Sequence, residues 1–374
     1  MSETAIETAN GPRRGTPQVV AAIWVALCLG LAGMAEHLLP EKYVQDAHHI
    51  EHLALSATGP AADSFVTTAW VYKLFGGFAI PELTALVTFV LFLVVLFRCA
   101  PWLEISRFGP VELTLFCFCA VEAAIYIAPY SKESIVVLVV LTLTLVSTKP
   151  AGDVAFLTVV CLYGGFIRQY WFIIAALYVG MRLLLRMRRP MWIVAFIVLA
   201  VLVMAVGVSA VMHMNLNSFR QMVAQYNSAY AQTAIKDYIP VNGPVGGAAN
   251  ALLSLILLAA PIPLIITGSP VYLVFAALMI VLWLTLFTTV RDGMRQGLFR
   301  TDVRSARASA LLLATLPTLA IFEPDYGSYL KHLTPLLPLF FLSLRARRAP
   351  RDHAGPAGPP TFSDPATSSR GHTS

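Results

Sequence analysis

Residues 191–212, MWIVAFIVLAVLVMAVGVSAVM, carry no charged side chain from end to end. A bilayer core of roughly 30 Å asks a helix for about 18 or more apolar residues in succession, and this stretch supplies them. Outward from it, apolar runs recur near 79–97, 108–128, 134–148, 153–167, 170–185, 246–267, 270–290, 308–322 and 332–344, preceded by Val19 to Ala35. The 374-residue chain is 57% hydrophobic and 12% charged, against about 25% charged in an ordinary soluble domain. A soluble sphere cannot hide that much apolar surface. The sequence therefore predicts an all-α, polytopic transmembrane helical bundle over 18–345. A cytoplasmic segment is expected over 1–17, and a disordered cytoplasmic tail, rich in Pro, Gly, Ser and Thr, over 346–374.

The net charge is +6, but the basic residues sit in short runs between apolar stretches, at Arg182 to Arg189, Arg291 to Arg307 and Arg345 to Arg351. That pattern marks cytoplasmic loops and excludes a nucleic-acid patch. With Arg13 and Arg14 also cytoplasmic, the stretch Glu36 to Asp63 lies outside. The 19–35 run reads either as a signal peptide with a small-x-small site at Gly33-Met34-Ala35 or as an uncleaved first helix; the second is preferred, since every later segment is also membrane-embedded. Three full spans between Arg189 and Arg291 would put the 291–307 loop outside. The segment 246–267, interrupted by Pro261 and Pro263, is expected not to cross, which leaves about ten spans and one re-entrant segment, with both termini cytoplasmic. The cysteines Cys28, Cys99, Cys117, Cys119 and Cys161 show no disulfide or zinc spacing and read as packing residues. No metal or cofactor is expected.

Unusual polar residues then collect in four outer places. The first runs from Asp46 to His52 and on through Asp63 to Trp70; His48 and His52, four apart, fit either a metal site or a solvated amphipathic helix, with the latter favoured. The second is Tyr130-Ser131-Lys132-Glu133-Ser134, which serves as interfacial anchor or as site. The third is Arg168-Gln169-Tyr170-Trp171, an arginine with almost no other charge nearby and by default a functional candidate. The fourth, Glu323-Pro324-Asp325-Tyr326-Gly327-Ser328-Tyr329-Leu330-Lys331-His332, gathers two carboxylates, two phenols, a lysine and a histidine within ten residues.

At these four places the chain resembles the Wzy-type polymerases of bacterial O-antigen and exopolysaccharide synthesis, polytopic proteins with a GT-C-like membrane fold. The likeness lies in the Asp46 loop with Phe65 to Tyr72, in Ser131-Lys132-Glu133, in Arg168 to Trp171, and above all in Asp325 to Pro335. Where relatives commonly carry arginine in a terminal Gly-x-x-x-Arg-His pattern, this chain has Lys331, which keeps the charge but not the bidentate fork. The resemblance implies transfer or polymerisation of polyprenyl-diphosphate-linked sugars at the outer face of the inner (plasma) membrane, beside other polysaccharide-assembly proteins. It assigns Asp46, Glu323, Asp325 and His332 to acid–base work. Lys132, Glu133, Arg168, Gln169, Tyr170, Tyr326, Tyr329 and Lys331 would bind substrate.

A transporter or lipid flippase is the alternative, and a broken segment around Pro261 would suit it. Against it, the two halves show no repeat. The intramembrane carboxylates Glu112 and Glu122 sit roughly 80° apart around a helix and do not line one path. A third class, a non-catalytic assembly partner, would leave no single polar residue essential.

Overall fold

The computed structural model describes residues 15–212, 233–240, 243–323 and 325–348. Arg13, Arg14 and the tail expected to be disordered lie outside the described residues, apart from 346–348, which close the last helix. Among the described residues every regular element is helical, and Ala234 and Asp325 form one isolated bridge.

The chain opens with α1 (Thr16–Gly33), then a polar cap of α2 (Ala35–Leu38), α3 (Glu41–Ala54) and α4 (Ser64–Leu74). It continues through α5 (Pro81–Cys99), α6 (Trp102–Ile105), α7 (Pro110–Tyr126), α8 (Glu133–Leu145), α9 (Pro150–Phe166), α10 (Trp171–Leu184) and α11 (Met191–Met212). After residues outside the description come α12 (Gly243–Ala259), α13 (Ile262–Ile266), α14 (Pro270–Gln296), α15 (Val303–Phe322), α16 (Tyr326–Leu333) and α17 (Pro338–Arg348). Prolines open α5, α7, α9 and α14 in their first turn, where a missing N–H costs nothing and the fixed φ already suits a helix.

Side-chain ties show that the helices alternate in direction between two ends. At one end Gln18 donates to the Trp102 carbonyl (3.0 Å), Arg98 to Thr144 (3.0 Å) and Arg345 to Glu104 (2.7 Å). At the other, Thr88 donates to the Ala128 carbonyl (3.0 Å) and Tyr130 to that of Gly77 (2.7 Å). At the centre runs α15, buried at every residue from Ser305 to Ile321. In lipid there is no hydrophobic drive between helices, so close packing needs small side chains. Ala306, Ala308, Ser309, Ala310 and Ala314 supply them where α10 and α17 lie against α15.

Among the described residues five helices, α1, α5, α11, α14 and α15, are long and apolar enough to cross a membrane. On α5 the outward residues Leu83, Val87, Val90 and Val94 repeat at one-face helical spacing, and each is about half exposed. Such a surface suits lipid and not water. The expectation of about ten spans exceeds these five. Hydropathy windows run through turn residues that the backbone does not keep helical, so the runs at 134–148 and 170–185 shrink to helices of 13 and 14 residues, or about 20 Å.

One boundary holds and two are corrected. The 246–267 run is interrupted as expected, dividing into α12 and α13 at Pro261, whose missing N–H and ring disfavour a continuous helix. The run placed at 332–344 divides into α16, a 3-10 turn over Thr334–Leu336 and α17, because Pro335 and Pro338 interrupt it. The basic loop placed over 291–307 is mostly helical: α14 continues to Gln296 and stops at Gly297, whose φ of 74° favours glycine. Glu112, read as intramembrane, lies in the first turn of α7 and accepts from the Gly109 N–H at 3.1 Å.

Arg182 and Arg307 are a correction of another kind. Read as loop residues, they are buried at the start or end of helices, around Asp153 on α9. Arg307 Nε lies 2.9 Å from Asp153 Oδ1, Arg182 Nη2 3.2 Å from Oδ2, and the Tyr178 hydroxyl 2.7 Å from Oδ1. Arg307 also donates to the carbonyls of Ser147 (2.8 Å) and Lys149 (3.1 Å). The arginine satisfies the open carbonyls of the turn between α8 and α9, a job invisible to a rule that counts only charge. Gly152 is what lets this turn close: a Cβ there would sit 1.9 Å from the Ser147 carbonyl oxygen. Gly152→Ala is therefore expected to destabilise the fold by about 1–3 kcal/mol or more, seen as a lower midpoint in a thermal scan of the detergent-solubilised protein. An unchanged midpoint would contradict this role for the glycine.

Candidate functional site

The end of the bundle opposite Asp153 collects charge from five chain segments. Glu133 begins α8, Arg168 lies in the turn between α9 and α10, Glu323 follows α15, Lys331 and His332 sit in the last turn of α16, and Asp46 comes from α3 in the cap. Apart from Asp46, which lies mid-length on the polar α3, these charges sit at helix ends or in turns. An apolar helix that must shed its ionic groups does so at its ends, and alternating helices bring those ends together.

The deepest part is an ion network. Arg168 Nη2 lies 2.6 Å from Glu133 Oε1, with side-chain exposures of 10% and 0%. Its Nη1 donates to the Tyr170 hydroxyl at 2.7 Å. His332 stands between two carboxylates, its Nε2 3.1 Å from Glu133 Oε1 and its Nδ1 hydrogen-bonded to Glu323 Oε1. Ser328, one helical turn before His332 and so on the same face, donates its hydroxyl to Glu323 Oε2. Glu133 Oε2 is buried and has no hydrogen-bond partner. Burial and the nearby Arg168 push the His332 pKa down, but Glu323 and the bond to Glu133 prevail and raise it. Burial likewise raises Glu323, and His332, Ser328 and Arg168 more than reverse this. Each partner thus shifts the other toward its charged form, which favours an ionic contact between His332 and Glu323.

Above this network lies a more open rim. Lys331 forms an ion pair with Asp46, the side chains 18% and 30% exposed. Burial pushes the Asp46 carboxyl up, but Lys331 and then Lys132 outweigh it, so its pKa is lowered. The Lys132 ammonium lies 3.3 Å from the centre of the Phe65 ring and 3.4 Å from the Ser64 hydroxyl. Its pKa is lowered to about 8, first by burial and then by Arg168, with Glu133 and Asp46 offsetting only part. An anion held by this ammonium loses its partner as the pH rises through about 8. Affinity for a phosphate-bearing ligand is expected to fall across that range, and Lys132→Arg, whose guanidinium stays charged, should move the fall to higher pH. A binding profile that is flat from pH 7 to 10 would exclude Lys132 from the contact.

The sequence-derived candidates thus divide. Asp46, Lys132, Glu133, Arg168, Tyr170, Glu323, Lys331 and His332 come together. Asp325 sits beside them as the cap of α16, its Oδ1 accepting from the Ser328 N–H at 2.9 Å; burial, together with Glu323, raises its pKa. Gln169 is exposed. Tyr329 turns into the bundle, where its hydroxyl accepts from Trp283 Nε1 at 2.7 Å, and Tyr326 is buried near Phe275 with ring centres 6.5 Å apart. These two tyrosines seat α16 rather than face the rim. His48 and His52 lie on the exposed side of α3, and no group of three or more His, Cys, Asp or Glu among the described residues is arranged to hold a metal. Ser64, Phe65 and Ser328 are parts of the site that charge alone did not single out. Their signal was adjacency to Asp63 and Gly327 in polar stretches already marked.

Comparison with protein-family models, curated proteins and solved structures finds no match to this chain. What fold and site define is an all-helical protein with five candidate membrane spans and a paired-ion cluster at one end of its bundle.

Proposed function

We propose that this chain transfers or polymerises polyprenyl-diphosphate-linked sugars at the outer face of a bacterial inner membrane. The observation that carries the reading is the convergence of Lys132, Arg168, Lys331 and His332 with Asp46 and Glu323 at the end of an apolar bundle. In such a transfer an acceptor hydroxyl oxygen bonds to the sugar C1, the bond from C1 to phosphate breaks, and the diphosphate leaves with the electron pair. Cations held in place lower the barrier to that leaving charge. Lys331, at the rim, would meet it, with the buried Lys132, Arg168 and His332 close by. The acceptor's proton needs a carboxylate within reach of solvent. At 30% side-chain exposure Asp46 is available, whereas Glu133 at 0% and Glu323 at 3% are committed to buried partners.

In this reading the chain crosses the membrane about ten times, with both termini cytoplasmic. The segment α12–α13 does not cross, since Ala234 before it is bridged to Asp325 and Phe275 after it lies beside Tyr326, both at the α16 end. The break at Pro261 favours a second reading, a flippase for the same lipid-linked units. The site of accumulation separates them: cells lacking a functional chain should build up unpolymerised lipid-linked units on the outer leaflet. Accumulation on the cytoplasmic leaflet would overturn the transferase in favour of the flippase.

A further inference from the structure

At the opposite end of α10 and α15, a cleft of about 400 Å³ is lined by Arg182, Arg186, Phe299, Arg300 and Val303. We infer that this cleft is a second site, which binds phosphate-class anions, either the headgroup of an anionic phospholipid or a free diphosphate. It is separate from the proposed transfer site: α15 alone, with 20 residues, holds the two about 30 Å apart.

Three observations support it. Arg182, 7% exposed, spends its Nε and Nη2 on Asp153, but its Nη1 is buried without a hydrogen-bond partner. A guanidinium nitrogen desolvated and left unbonded is costly, so Arg182 brings an incompletely compensated positive charge to the wall of the cleft. The charge is also unbalanced: Asp153 alone faces both Arg182 and Arg307, and the exposed Arg186 and Arg300 add two more cations at the mouth. Asp302, next to Val303, is already engaged by the Ser305 N–H (3.1 Å) and hydroxyl as the cap of α15. Finally, the mouth is built rather than loose. Arg300 Nε donates to the Arg186 carbonyl at 3.0 Å, which ties the 3-10 turn Leu298–Arg300 to the end of α10, and Phe299 is buried beneath. The planar Arg300 guanidinium, held by this bond, has the geometry that matches phosphate oxygens.

The test uses the full chain in nanodiscs. Inorganic diphosphate is titrated by calorimetry in phosphatidylcholine discs, and phosphatidylglycerol retention is read by native mass spectrometry from mixed discs. The double variant Arg186→Gln/Arg300→Gln changes only exposed side chains and should leave the fold intact, as a thermal midpoint will show. Diphosphate binding weakened at least tenfold in the double variant identifies a soluble anion. Retention of the anionic lipid, lost in the double variant without diphosphate binding, identifies a headgroup. If neither ligand binds, or if binding survives the double variant and is lost instead in Lys331→Met, the inference is overturned and the anion belongs to the other end.

Discussion

Lys331→Met is expected to lower sugar transfer by a factor on the order of 10²–10³, the usual cost of removing one preorganised charge from a developing anion, while the protein remains folded. Exposure separates the chemical effect from the structural one. Lys331 and Asp46 are 18% and 30% exposed in their side chains, and an ion pair that water still reaches contributes only about 0–1 kcal/mol to stability. Losing it should hardly move a thermal midpoint, so any large loss of turnover is chemical. Lys331→Arg, which keeps the charge and adds a fork suited to diphosphate, should retain most activity. Asp46→Asn keeps shape and hydrogen bonding but cannot take a proton, and should lose turnover with little change in substrate binding. If Lys331→Met transfers sugar at the parental rate, the rim has no part in the reaction.

Arg168→Ala should act through the fold as well as the site. Glu133 has no exposed side-chain surface, and stripping its arginine leaves a buried carboxylate with only His332 to answer it. Breaking a buried pair from one side costs about 3–5 kcal/mol, a large part of a total stability of about 5–15 kcal/mol. Loss of folded protein and loss of polymer should therefore appear together, and the single variant cannot tell them apart. The pair Arg168→Met/Glu133→Leu can. Replacing both ions with apolar side chains of similar volume is often neutral or better for stability, so abundance and thermal midpoint should recover while transfer stays abolished. A double variant that is both stable and fully active would make the buried network structural only.

Much of this architecture was legible because lipid imposes strict local rules. The uncharged run at 191–212 became α11, and the run near 79–97 became α5, each displaced by no more than two residues. The break at Pro261 was legible from the proline itself, whereas the reading failed where an average over many residues smooths away a local backbone event, as at Pro335 and Pro338 dividing α16 from α17. The candidate site was legible in membership, since charges excluded from apolar helices must gather at their ends. Its pairings were not. Lys331 meets Asp46 across 285 residues of sequence, and Arg168 meets Glu133 across 35; only the packing of α8, α10 and α16 brings them into register. The Asp153 cluster shows the same limit from the other side. Arg182 and Arg307 looked like ordinary topology signals, and nothing local marks them as partners of a single buried-edge carboxylate.

The most direct measurement of the central claim is transfer by the purified chain in proteoliposomes supplied with a polyprenyl-diphosphate-linked oligosaccharide on the outer leaflet. The account predicts longer saccharide chains, with release of one polyprenyl diphosphate for each sugar unit joined, and loss of both products in Lys331→Met. Movement of the lipid-linked oligosaccharide between leaflets with no bond formed, at a rate that Lys331→Met leaves unchanged, would contradict it.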